Sequence, residues 1–161
     1  MWKRHYNYLK YVTRHKYYVL SACILLGYPV RLVIFHDMSK FKPSEWFPYA
    51  SCFYKENGDS QYNETEEFNQ AWNKHQKSNK HHWQYWVITW DRGSSEALRM
   101  PDRYVQEMIC DWMGAGKAIN GKWEVIEWYN KNKDNMILHL DTRRLVEYYL
   151  GTYCQFKRIF R

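Results

Sequence analysis

The sequence predicts an all-α protein, a compact single-domain bundle of five to seven helices. Three observations carry this reading. Apolar residues recur at three-, four- and seven-residue steps along most of the chain. No stretch alternates apolar and polar residues for long enough to require a sheet. The length, 161 residues, encloses one core and is short for two.

The first helix is expected over residues 3–27, with Val12, Val19, Ala22 and Leu26 on one face and His15 among them. Gly27 and Pro29 provide its stop. A second helix over 30–39 places Val30, Val33, Ile34 and Asp37 on one stripe, so Asp37 should point inward. Residues 40–64 hold Pro43, Pro48 and the turn-rich Asn57-Gly58-Asp59-Ser60. They read as a loop with one short helix around 44–54, a candidate lid.

A long third helix is expected over 65–89, since Phe68, Ala71, Trp72, His75, Asn79, His82 and Trp86 recur at helical steps. On it His75 and His82 share a face, with His81 turned about 100° away. Residues 92–101 form a second loop. A fourth helix carries Tyr104, Met108, Asp111 and Ala115 on one stripe and ends within 114–121. Two more follow, one over 123–131 and one capped by Asp141-Thr142 that carries Leu145, Val146, Tyr149 and Tyr153.

Composition narrows the setting. Hydrophobic residues are 45% and charged residues 25%, the balance of a globular chain. The longest apolar run, residues 19–27, is far below the roughly 20 residues needed to cross a bilayer. The N-terminus lacks the apolar core of a signal peptide. Cys23, Cys52, Cys110 and Cys154 lie far apart with no C-x-x-C spacing, which suits reduced thiols. The expected location is therefore the cytoplasm, without membrane contact. A net charge of +7 favours an anionic partner. The basic residues are spread out, with short pairs at Lys3-Arg4, Arg143-Arg144 and Lys157-Arg158, so a solvated basic surface is favoured over a nucleic-acid track.

Burying a histidine or carboxylate without a partner costs several kcal/mol. His15, Asp37 and Asp111 nevertheless each fall on a core-facing stripe, and the third helix adds His75 and His82. For a lone histidine, a hydrogen-bonded core position is the better explanation. For the set, convergence on a divalent metal satisfies all of them together.

The order His15, His36-Asp37, then His75, His81 and His82, then Asp111 resembles the HD-domain superfamily of metal-dependent phosphohydrolases, over about residues 8–118. The segments His-Asp-Met-Ser-Lys-Phe and His-His-Trp are similar to those of a small group of bacterial and bacteriophage proteins. The resemblance implies an HD-domain-like helical fold and one or two divalent ions, with Mn, Mg, Zn, Co and Fe all possible. It implies that His15, His36, Asp37 and Asp111 hold the first ion, with Asp37 able to bridge to a second completed by His75, His81 and His82. The extra histidines here are six or seven residues apart, closer than the family pattern, so the resemblance does not fix whether one ion or two are held.

The same resemblance implies hydrolysis of a phosphate ester by metal-activated water, on a nucleotide or another small anionic substrate. Asp37 or Asp111 would orient the nucleophile and Lys40 would contact phosphate. Arg92, Arg99 and Arg103, near the second loop, are further phosphate-binding candidates. If the source is a phage, the setting is the host-cell cytoplasm. Glu45 is read as part of a helix start in preference to an acid supporting the site. Trp72, Trp86, Trp112 and Trp128 are read as core packing, and Trp46, Phe47, Tyr49 and Tyr54 as the better base-stacking candidates. Two rivals stand beside the hydrolase. One is a di-iron oxygenase of the same superfamily. The other is a nucleic-acid-binding or inhibitory partner protein braced by a structural metal.

Overall fold

A computed structural model describes residues 2–159, and side chains as far as 154. The Lys157-Arg158 side chains therefore lie outside the described residues. Among the described residues six helices follow one another: α1 (Trp2–Leu25), α2 (Pro43–Phe53), α3 (Glu66–Ser78), α4 (Asp102–Asn120), α5 (Val125–Asn132) and α6 (Leu140–Ile159). Between α3 and α4 lies a small antiparallel hairpin, β1 (Val87–Thr89) and β2 (Ser95–Ala97). Apart from that hairpin and an isolated bridge between Tyr54 and Ser60, the described residues are all-α. No helix among the described residues is long and apolar enough to cross a membrane.

The α1–α4 pair forms the frame. Val19 on α1 meets Gly114 on α4 so closely that a β-carbon at 114 would lie 2.5 Å from Val19 Cγ2. Only glycine allows that approach, and it brings one face of α1 against the Val105, Met108, Ile109 and Met113 face of α4. Each such side chain contributes roughly 1.5–3 kcal/mol by leaving water. α1 ends as predicted: Gly27 adopts φ 69°, and the amide of Tyr28 reaches back to the carbonyl of Cys23 at 3.0 Å, which closes the helix.

Two apolar clusters flank the middle of α1. One joins Val19, Ala22 and Cys23 to α4, α5 and α6. The other joins Tyr8 and Val12 to Tyr49, Phe68 and Ala71 of α2 and α3. His15 lies between Val12 and Val19, at the seam between the two clusters.

Two predicted helices are corrected. Residues 30–39 do not form one: short 3₁₀ turns at Val30–Leu32 and Met38–Phe41 bracket a run of turns. Of the proposed stripe, Val33 and Asp37 are buried while Val30 and Ile34 face solvent. The long helix over 65–89 stops at Ser78. Thr65 caps its start, accepting from the amide of Phe68 at 3.3 Å. Asn79 leaves the helix in extended geometry, its side-chain amide donating to the carbonyl of His75 at 2.8 Å. The rest of the expected helix is the His81-His82 loop, a 3₁₀ turn at Trp83–Trp86 and strand β1. Three-residue strands are too short to show alternation, and the β-branched run Val87-Ile88-Thr89 was the signal available.

Candidate metal centre

Five elements converge on the seam. α1 supplies His15 and α4 supplies Asp111. The turn before α2 supplies His36 and Asp37, α3 supplies His75, and the loop after α3 supplies His81 and His82. Neighbouring residues on an α-helix diverge by about 100°, so a helical His36-Asp37 pair would not converge on one point. The turn resolves this. Asp37 takes φ 56° and ψ 22°, the sole non-glycine positive φ among the described residues. This left-handed conformation is more tolerable for Asp than for most residues, and its cost is accepted where it aims a functional group.

The donor atoms fall into two sets. In the first, Nε2 of His15 lies 3.1 Å from Oδ1 of Asp111 and 3.3 Å from Oδ2 of Asp37. Nε2 of His36 lies 3.3 Å from Asp111 Oδ1, 3.4 Å from Asp37 Oδ2 and 3.4 Å from Nε2 of His15. In the second set, Oδ1 of Asp37 faces Nε2 of His75 at 3.3 Å and Nε2 of His81 at 3.4 Å, with His82 completing the group. Four ligands about 2.0–2.1 Å from a tetrahedral ion stand about 3.3–3.4 Å apart, so these spacings are those of a coordination shell. Asp37 gives one oxygen to each set.

Hydrogen bonding gives independent support for this arrangement. Asp37 Oδ1 and the Nε2 atoms of His75, His81 and His82 are all buried and make no hydrogen bond among the described residues. Four such polar atoms aimed at one another fit a cation. These groups could hold a metal ion.

The opposite nitrogens of the rings are tied down. Oε1 of Glu107 accepts from Nδ1 of His36 at 3.2 Å and from Nδ1 of His81 at 3.1 Å, so one carboxylate oxygen orients a histidine from each set. Nδ1 of His75 donates to Oε2 of Glu45 at 2.8 Å. Ser39 donates to the same oxygen at 3.0 Å, and Asn79 donates to the Ser39 hydroxyl. Protons held at Nδ1 leave Nε2 lone pairs for a metal. Glu45 is thus a first-turn residue of α2, as expected, and in addition a buried supporting acid. Glu107 was missed altogether. The available signal was its position one helical turn before Asp111, on the same face.

The charges agree with this reading. Burial opposes the ionised form of Asp37, but His36 and Lys40 outweigh it and hold the carboxyl well below its usual range. Asp111 is held down likewise, against burial, by His15 and His36. Burial disfavours a charged His81, yet the carboxylates of Asp37, facing its Nε2, and of Glu107, at its Nδ1, push its pKa up to about 10. Burial and the adjacent His81 hold His82 neutral. Without a cation, protons on the histidines balance the buried carboxylates. Lys40 Nζ lies 2.5 Å from Asp37 Oδ2, and that carboxylate, overcoming burial, keeps the lysine charged.

Trp72, His82 and Asp111 line both arms of an open cleft. One arm, about 350 Å³, is also lined by Tyr11, Lys40 and Tyr49. The other, about 270 Å³, is also lined by Trp83, Gln84, Trp112 and Trp128. His15, His36, Asp37, His75, His81, His82, Asp111 and Lys40 are therefore brought together. The arginines are not. Arg92 pairs with Glu96 at 3.3 Å in the hairpin, Arg103 stacks on Tyr104, and Arg99 faces solvent; none lines either arm.

Trp72, Trp86 and Trp112 pack against the two apolar clusters as expected, but the aromatics that line the cleft are not mainly those expected. Trp72, Trp112 and Trp128 line the cleft, while Trp46 packs against His5 and Tyr8 and Phe47 faces solvent. Tyr49 does line the Lys40 arm, and Tyr54 lies outside both. These four sit on or beside α2, whose residues lie partly in the core, whereas the tryptophans of α3, α4 and α5 border the open side of the seam.

Residues 4–152 match the model of a family of unknown function (DUF5662). No curated protein and no solved structure matches the chain.

Proposed function

The chain belongs to that family, and we propose that it is a metal-dependent phosphohydrolase of the HD-domain type, cleaving a phosphate ester with water. One observation carries the reading: two donor sets share Asp37, and their members His15, His82 and Asp111 line a cleft together with Lys40, which pairs with Asp37. A purely structural metal site is closed by its ligands, whereas here Asp111 and His82 line open space.

His15, His36, Asp37 and Asp111 would hold one divalent ion, and Asp37, His75, His81 and His82 a second. Bound there, such ions lower the pKa of water and neutralise charge on a phosphoryl oxygen. The remaining work falls to the chain. Lys40 Nζ binds a phosphoryl oxygen from the side of the Tyr11 and Tyr49 arm. Asp111, the more exposed of the two aspartates at 13% against 1%, accepts a hydrogen bond from the attacking water. That water forms the new P–O bond as the ester P–O bond breaks and the alcohol leaves with a proton. Glu107 and Glu45 keep the histidine rings in place throughout.

The test is a screen of purified protein, loaded in turn with Mn, Mg, Zn, Co or Fe, for phosphate release from mono- and diesters. Asp37→Asn and His36→Ala serve as controls. Metal-dependent release that both substitutions abolish is expected. Absence of bound metal, or release that both variants retain, overturns the proposal.

A further inference from the structure

The second arm of the cleft differs in chemistry from the first. Among its lining residues there is no lysine or arginine. Its walls are indoles: Trp83, Trp112 and Trp128, with Trp72 at the junction. Trp112 and Trp128 lie 5.0 Å apart between ring centroids, and Trp128 keeps 42% of its surface in solvent although it is one of the largest apolar side chains. A ring left that exposed beside a second indole offers stacking area at little ordering cost.

Three amides, Gln84, Asn132 and Asn135, also line the arm. The Oε1 atom of Gln84 is buried and has no hydrogen-bond partner among the described residues. Its backbone is fixed, since the carbonyl of Gln84 accepts from Lys77 Nζ at 2.8 Å. Asn132 is likewise held, donating from Nδ2 to the carbonyl of Trp128 at 2.7 Å. A buried acceptor with nothing to accept from costs on the order of 1–3 kcal/mol, which a ligand N–H would recover. The arm thus combines flat apolar walls with a neutral hydrogen-bonding edge, and it meets the anion-binding arm at His82 and Asp111. Its volume of about 270 Å³ is that of a small-molecule subsite.

We infer that this arm is a subsite for a planar heteroaromatic ring bearing N–H donors, the base of a nucleotide whose phosphate lies toward Lys40. The inference rests on the hydrolase reading for the position of the phosphate, and on the arm alone for the ring. Trp128, backed by Trp112, stacks on the ring, and Gln84 Oε1 accepts from its edge.

The test is calorimetric titration of the metal-loaded protein with the four ribonucleosides, their 5′-monophosphates and ribose 5-phosphate. Base–indole stacking predicts about tenfold or greater preference for at least one monophosphate over ribose 5-phosphate. Trp128→Ala should reduce that ratio about tenfold, with its fold checked by circular dichroism. Gln84→Leu keeps the wall and removes the acceptor, so it should level the differences among the four bases. Equal affinity for ribose 5-phosphate and every monophosphate overturns the subsite. So does a preference that Trp128→Ala leaves intact in a folded protein. Hydrolysis of esters without regard to an attached ring sinks the subsite and leaves the hydrolase; nucleoside binding with no hydrolysis of any ester does the reverse.

Discussion

His75 donates from Nδ1 to Oε2 of Glu45 at 2.8 Å, and both side chains are shut off from solvent. Glu45 thereby fixes the ring whose Nε2 faces Asp37. Loss of such a support typically weakens metal binding about 10- to 100-fold. Glu45→Gln should therefore weaken the His75-His81-His82 ion by about tenfold and leave the His15-His36-Asp111 ion unchanged. Competition with a chromophoric chelator measures both, and equal weakening of the two would contradict this assignment.

Asp37 is the residue common to both sets. Elemental analysis after reconstitution should give two ions per chain in the wild type, one in His81→Ala or Asp111→Ala, and fewer than one in Asp37→Ala. A single ion in the wild type, with His81→Ala retaining it, would remove the second set.

Lys40 touches Asp37 without being a metal donor, so charge and metal retention can be separated. Lys40→Met should retain metal while losing about 100-fold in turnover of a phosphate ester, the scale seen when one electrostatic partner of a transition state is removed. Undiminished turnover would take Lys40 out of the mechanism.

Acidity and metal should act on stability in opposite senses. In metal-free protein the carboxylates outweigh burial and raise the pKa of His15, His75 and His81, the last to about 10. Their stabilisation is complete below the unfolded histidine value of about 6.5 and is lost as pH rises through the folded values. His82 is held neutral, so its contribution is lost as pH falls below about 6.5. Asp37 and Asp111, held low, lose theirs further into the acid range. The metal-free Tm should therefore peak near about pH 6.5 and fall steadily toward pH 10. Metal displaces those protons, so the loaded protein should keep its Tm on the alkaline side and lose it in acid. Melts with and without chelator across this range should cross over; parallel curves would contradict the account.

Gly114 allows α1 and α4 to approach closely enough for His15 and Asp111 to meet. Gly114→Ala forces a β-carbon to within 2.7 Å of the Val19 amide nitrogen. A cost of about 1–3 kcal/mol is expected, lowering Tm by about 3–10 °C, together with weaker binding of the first ion. Thermal melts and metal titration check both effects.

The sequence by itself determined the helical class and most of the helix starts and stops, because amphipathic period, Gly27, Thr65 and Gly121 act locally. It also singled out His15 and Asp111, polar residues on apolar helical stripes, while His36 and Asp37 stood out through the order of ligands in the family the sequence resembles. Tertiary structure decided the rest. His81 and His82 reach the centre because the chain leaves the helix at Asn79, a break that helical periodicity through Trp86 conceals. His36 and Asp37 converge through a left-handed turn that no residue pattern requires. Glu107 and Glu45 acquire their roles from partners 71 and 30 residues away, and the cleft tryptophans become lining through the way α3, α4 and α5 meet. Local patterns record which side of an element faces inward. They do not record what waits there, because that depends on separations that only the packed chain brings to zero.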